Sequence, residues 1–176
     1  MGDNVILVGF MGAGKSSVGR LLARRLGRCF VETDDLITAR EGRSIPAIFA
    51  ERGEAHFRAL EEEAVRLLAA KSGDVIATGG GLPCREGRPE ALRALGTVVW
   101  LRGDFDVLYE RALRAGERPM LAGRSRDEVE ALHRAREVYY RQADLTVDTT
   151  GINADQVVTK LLLALHDRSI PSRHGA

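Results

Sequence analysis

The sequence predicts an α/β fold, a five-stranded parallel sheet sandwiched between helices in three layers. Three observations carry that reading. Five short apolar runs recur along the 176 residues, at 5–8, 29–31, 75–77, 97–101 and 145–147. Longer amphipathic stretches separate them, and strands that alternate with helices give a parallel sheet wrapped by helices. Runs 5–8 and 98–101 are apolar throughout, as strands covered on both faces are.

In chain order, run 5–8 passes at Gly9 into a glycine-rich turn. A helix over 17–26 follows, with Val18, Leu21, Leu22 and Leu26 on one stripe. Run 29–31 leads to Glu32-Thr33-Asp34. A helix over 54–70 repeats the pattern through Phe57, Leu60, Ala64, Leu67 and Leu68. Run 75–77 enters Gly79-Gly80-Gly81. Helices over about 105–115, 127–141 and 153–166 complete the alternation with the last two strands. The polar, Arg-rich segment 115–126 carries Gly116, Pro119 and Gly123; a loop this long inside a compact domain reads as a mobile lid. One domain, 1–167, is expected, followed by a frayed tail over 168–176.

Apolar residues make up 44% of the chain and charged residues 29%, an ordinary globular mix, and the formal net charge is +1. No bulk basic field attracts nucleic acid, so no nucleic-acid partner is expected. Run 5–8 ends far short of a membrane span or signal core, so no membrane partner is expected either. Cys29 and Cys84 are isolated thiols without disulfide or metal spacing. These features predict a cytoplasmic protein. The four histidines show no metal-ligand spacing, and His133, His166 and His174 read as surface or tail residues.

Chemistry enters at Gly9-Phe10-Met11-Gly12-Ala13-Gly14-Lys15-Ser16, which matches G-x-x-x-x-G-K-[ST] directly after a strand and before a helix. Gly12 and Gly14 let the backbone curl so that N–H groups point inward at phosphate oxygens. The helix beginning near Lys15 adds the positive end of its dipole. Lys15 reaches the β- and γ-phosphates of a nucleotide, and the Ser16 hydroxyl can ligate Mg²⁺. Only three of the 26 basic residues are lysines, which makes this lysine harder to attribute to composition. A guanine-reading N-K-x-D stretch is absent, since the only asparagines are Asn4 and Asn153. That argues against a GTP-dependent regulator and for a kinase. Asp34 falls at the carboxyl end of the second strand, where open α/β sheets bind ligands. A carboxylate there can hold an acceptor hydroxyl and take its proton, or cap the helix that Leu36 and Ile37 suggest.

Together these motifs resemble the shikimate kinase family of P-loop kinases, over about residues 4–165. Beyond the P-loop and Asp34, the resemblance rests on Gly42-Arg43-Ser44-Ile45 with Phe49, on Gly53-Glu54 with Phe57-Arg58 and Glu61, and on Gly79-Gly80-Gly81. It continues through Arg111, Arg118-Pro119-Met120-Leu121, and Arg136 ahead of Tyr139-Tyr140. It implies ATP as donor, Mg²⁺, and transfer to the 3-hydroxyl of shikimate, a step of chorismate and aromatic amino-acid biosynthesis, by a monomer. It implies ATP contacts from Gly12, Ala13, Gly14, Lys15, Ser16, Ser17, Arg111 and Arg118, with Lys15, Asp34 and Arg118 catalytic. It implies acceptor contacts from Asp34, Arg58, Arg136, Phe49, Phe57 and Gly79–Gly81, within a substrate region at about 34–61. Arginine forks suit a carboxylate, and Glu61, three residues on, can orient Arg58. Phe49 and Phe57 suit either an acceptor ring face or the core.

Three positions depart from the family pattern. Glu32 stands where an aspartate usually holds a Mg²⁺-bound water, a role that Glu32 is expected to keep. Thr38 replaces a glutamate, and Ala154 replaces a proline facing adenine. Glu32 and Thr38 lie near the acceptor, so a kinase of another small hydroxy acid, such as gluconate, stays open as an alternative.

Overall fold

The computed structural model describes residues 3–115, 121 and 123–169. Five strands form one parallel sheet in the order β2-β3-β1-β4-β5: β1 (Asn4–Val8), β2 (Phe30–Glu32), β3 (Val75–Ala77), β4 (Gly96–Arg102) and β5 (Leu145–Asp148). β1 lies at the centre and is buried along its whole length, as its unbroken apolar run requires. The chain leaves β1 toward β2 on one flank and leaves β3 toward β4 on the other. β1 and β3 are neighbours, so a crevice opens between their carboxyl ends, the usual ligand position in such sheets.

Helices cover both faces: α1 (Lys15–Leu26), α2 (Thr33–Glu41), α3 (Ile45–Leu68), α4 (Arg88–Leu95), α5 (Phe105–Arg114), α6 (Arg126–Tyr140) and α7 (Ala154–Ser169). The five strands and the helices at 17–26, 105–115 and 127–141 agree with expectation to within two residues at each end. α7 runs on to Ser169, past the expected start of the tail; residues 170–176 lie outside the described residues.

Three helical features go beyond the expectation, and the helix that Leu36 and Ile37 suggest is capped at Glu32 rather than Asp34. α2 begins at once after β2, with no connecting loop, and ends at Gly42 in the left-handed conformation. α3 starts nine residues earlier than the sequence pattern indicates: Ser44 caps it, Pro46 sits in its first turn, and a kink at Gly53 (φ 78°, ψ 175°) joins two helical pieces. α4 is short and opens with Pro89. Each is too short or too polar to show helical periodicity by itself.

The main core surrounds β1, β3 and β4. A second cluster of Ile37, Ile48, Phe57, Leu60 and Ala64, with Ile45 and Phe49 against it, fastens α2 to α3 beside the crevice.

Candidate active site

Between β1 and α1 the backbone makes the predicted cradle. Gly12 has φ 78°, and a Cβ there would lie 2.1 Å from the carbonyl oxygen of Leu108, so only glycine fits against α5. Gly14 caps α1 in the left-handed conformation without a side-chain acceptor. The first N–H groups of α1 therefore remain available to an anion. The Lys15 ammonium folds back onto the loop, donating from Nζ to the carbonyls of Gly9 (2.8 Å) and Phe10 (3.0 Å). The Ser16 hydroxyl donates to Glu32 Oε1 at 2.5 Å, and Arg20 holds Glu32 Oε2 at 3.4 Å.

From this cradle a cleft of about 670 Å³ runs across the ends of β2 and β3 to α3; Lys15, Asp34, Arg58, Gly80 and Arg136 are among its lining residues. Asp34 sits in the first turn of α2. The preceding residue, Thr33, is buried and accepts from the Gly79 N–H at 2.9 Å, tying α2 to the triple-glycine segment. A Cβ on Gly79 would come 2.6 Å from Asp34 Oδ1, so the bare backbone is what gives the carboxylate its place. Burial pushes the Asp34 carboxyl up to about 6; Lys15 pulls it down, and Glu61 and Glu32 add to the rise.

Two arginines converge on the remaining glycines. Arg136 projects from α6 over the Phe10 ring (5.8 Å), with NH1 3.5 Å from the Cβ direction of Gly80 and NH2 3.2 Å from that of Gly81. It is only 9% exposed, and among the described residues no carboxylate forms an ion pair with it. Arg58 reaches the same segment from α3, with NH1 3.3 Å from the Cβ direction of Gly81. Its pairing is different: Glu61 Oε2 takes NH1 at 2.8 Å, and Glu54 Oε1 takes Nε at 3.1 Å and NH2 at 2.8 Å. Glu61 is buried and also accepts from Arg85 at 3.3 Å, so the expected orienting contact from Glu61 to Arg58 is present. Phe49 and Phe57 pack on each other (ring centroids 4.6 Å) and belong to the second core cluster, as the core reading expects, while also lining the cleft.

On the opposite side of the cradle a smaller cavity of about 220 Å³ is lined by Ala13, Ser17, Arg111, Thr149 and Ala154, among others. Arg111 is held at its edge by donating to Thr149, to the carbonyl oxygen at 3.1 Å and to Oγ1 at 3.4 Å. Arg118 and most of the expected lid, residues 116–120 and 122, lie outside the described residues.

Sequence reasoning gave no role to Thr33, Tyr140, Glu54 or Arg85. Tyr140 is buried and donates its hydroxyl to the Gly80 carbonyl at 2.6 Å, fixing that peptide. Its place beside the Arg136 motif was the available signal. The expectation for His133 needs correcting: it is buried, packed edge-on to Phe10 (4.9 Å) and against Phe105 (5.5 Å). It faces inward on α6 between Val129 and Arg136, on the stripe that backs the cradle. Both cysteines are free, as expected.

A phosphate cradle joined by one cleft to a basic, glycine-floored pocket, on this strand order, defines a P-loop kinase of small molecules. The comparisons with known proteins narrow the class. The shikimate kinase family model matches residues 11–166. A shikimate kinase of Geobacter sulfurreducens is 47% identical over 91% of this chain and 89% of its own. One of Symbiobacterium thermophilum is 44% identical over 94% and 97%. Among solved structures, shikimate kinase from Acinetobacter baumannii in complex with shikimate superposes with a TM-score of 0.90 at 34% identity, covering 96% of each chain. The Aquifex aeolicus shikimate kinase gives 0.85 at 39% identity, over 95% of this chain and 98% of that one. The chain belongs to the shikimate kinase family.

Proposed function

We infer that this protein transfers the γ-phosphoryl group of ATP to the 3-hydroxyl of shikimate, releasing ADP and shikimate 3-phosphate. The observation that carries this reading is Arg136: a buried guanidinium without a carboxylate counter-ion among the described residues, lining with Asp34 the same glycine-floored cleft. A buried unpaired charge is costly, and an acceptor carboxylate is the group that relieves the cost.

With the acceptor carboxylate on Arg136 and Arg58, its ring lies against the Gly79–Gly81 backbone and the faces of Phe49 and Phe57. Asp34 then orients the 3-hydroxyl and takes its proton as that oxygen bonds to the γ-phosphorus. The bond from the γ-phosphorus to the β–γ bridging oxygen breaks, and ADP leaves. Gly12, Ala13, Gly14, Lys15, Ser16 and Ser17 hold the phosphates, and Arg111 flanks the base. Lys15 swings from its carbonyl partners to the transferring group, where Arg118 shares the negative charge.

Mg²⁺ fits the donor set beside the loop: a hydroxyl and a carboxylate, both hard oxygens, 2.5 Å apart at Ser16 and Glu32. Ser16 would hold it directly and Glu32 through water, and the ion, when bound, screens the charge of the β- and γ-phosphates. We further propose one catalytic domain over residues 1–167, acting as a cytoplasmic monomer on a diffusible acceptor, with neither nucleic acid nor membrane as partner. The net charge of +1 supports that picture.

A coupled ADP-release assay over shikimate, gluconate, quinate and homoserine tests the assignment. Shikimate-dependent turnover is expected to dominate. Turnover on another acceptor with none on shikimate sinks the assignment and leaves a kinase of a different hydroxy acid.

A further inference from the structure

Arg58 and Arg136 approach the same glycine segment as two cations that differ in their pairing. Arg136 has no carboxylate partner among the described residues, whereas Arg58 already has two. We propose that Glu54 is a built-in competitor of the acceptor carboxylate: it occupies the side-on fork of Arg58 in the acceptor-free enzyme, and the acceptor binds by exchanging with it. This rests on the function proposed above and adds a device that sets acceptor affinity at that site.

The geometry identifies which partner exchanges. Glu54 Oε1 accepts from both Nε (3.1 Å) and NH2 (2.8 Å), the two donors of one guanidinium edge that carboxylates use. Glu61 takes NH1, is 2% exposed, and is held a second time by Arg85, so it is the partner that stays. The Glu54 side chain is 67% exposed and can be rehydrated at little cost. Its position follows from the chain: the Gly53 kink starts a new helical piece, and Glu54 stands four residues ahead of Arg58, the favoured order for such a pair. The Arg58 hydrogen bonds also hold the Glu54 carboxyl below its ordinary range. Formal charges of Glu54, Arg58, Glu61 and Arg85 cancel. An anion that reaches only Arg58 therefore finds it neutralised, while one that also reaches Arg136 gains an unmatched cation. The arrangement favours an acceptor large enough to engage both arginines over small stray anions.

The test is calorimetric titration of the wild-type protein, Glu54→Gln and Glu54→Ala with shikimate and with its uncharged methyl ester. Removing the competitor is expected to tighten shikimate binding about two- to fivefold, the range of an exposed ion pair, and to leave the ester unchanged. Unchanged or weaker shikimate binding in both variants overturns the exchange, because Glu54 would then be neutral or a support for Arg58. An equal gain for the ester overturns it too, since the effect would not depend on the carboxylate. Absence of shikimate binding by the wild-type protein sinks the proposed function itself, and the exchange with it.

Discussion

The Asp34 carboxyl, pushed up to about 6, carries a stability consequence as well as a catalytic one. The folded chain keeps this proton to higher pH than the unfolded chain, whose aspartates titrate near 4. Between about 4 and 6 the folded state therefore binds more protons, and stability falls as pH rises through that window. Below it the penalty is absent, and above it the penalty is complete. Replacing Asp34→Asn should therefore stabilise the protein by about 1–3 kcal/mol at neutral pH and leave acid stability little changed. Urea midpoints at pH 4 and pH 7.5 check this; equal midpoints for variant and parent at pH 7.5 would show that Asp34 is not strained. The same variant should lose about 10²–10⁴-fold in turnover, the usual contribution of a positioned base. Legibility in the sequence differs among the site residues. Lys15 and Ser16 were readable because a continuous motif fixes them, and Asp34 because it closely follows a strand. The bond from Tyr140 to Gly80 joins residues 60 apart in sequence, and no local pattern announces it.

The kinked helix α3 is the element that builds the acceptor side. Its first piece brings Ile48 and Phe49 over α2, and its second brings Phe57, Arg58 and Glu61 to the cleft. Ile48 is fully buried in a small cluster that has few other members to close around a void. Ile48→Ala should cost about 2–4 kcal/mol, read from urea denaturation, and should weaken shikimate binding through Phe49 and Phe57. A loss below about 1 kcal/mol would mean that the α2–α3 pair opens separately from the main core. The second piece of α3 was visible in the sequence as a periodic apolar stripe. The first was not, because Gly53 breaks the register between the two.

At the scale of the molecule, the crevice between β1 and β3 joins the phosphate cradle to the two arginines, so acceptor binding and fold stability are linked. Shikimate at about 100 times its dissociation constant should stabilise the folded state by about 2.7 kcal/mol. For a chain of this size that raises Tm by roughly 5–10 °C. Arg136→Ala should abolish most of the shift, and scanning fluorimetry measures both. A full shift retained in Arg136→Ala would remove that arginine from the acceptor site.

By itself the sequence determined the sheet of five strands, the phosphate cradle, the family and most of the residues that line the cleft. Those properties are local: apolar runs, helical stripes and a fixed glycine-lysine spacing each act within a few residues along the chain. Tertiary structure alone decided how the two arginines differ. Arg136 emerges buried and without a carboxylate partner among the described residues, whereas Arg58 is held between Glu54 and Glu61. Sequence spacing allowed the Arg58 pairs, since both glutamates lie within one helical turn of it. Which guanidinium stays unpaired, and which glutamate is exposed enough to leave, follows from how α3 and α6 pack against the glycine segment after β3.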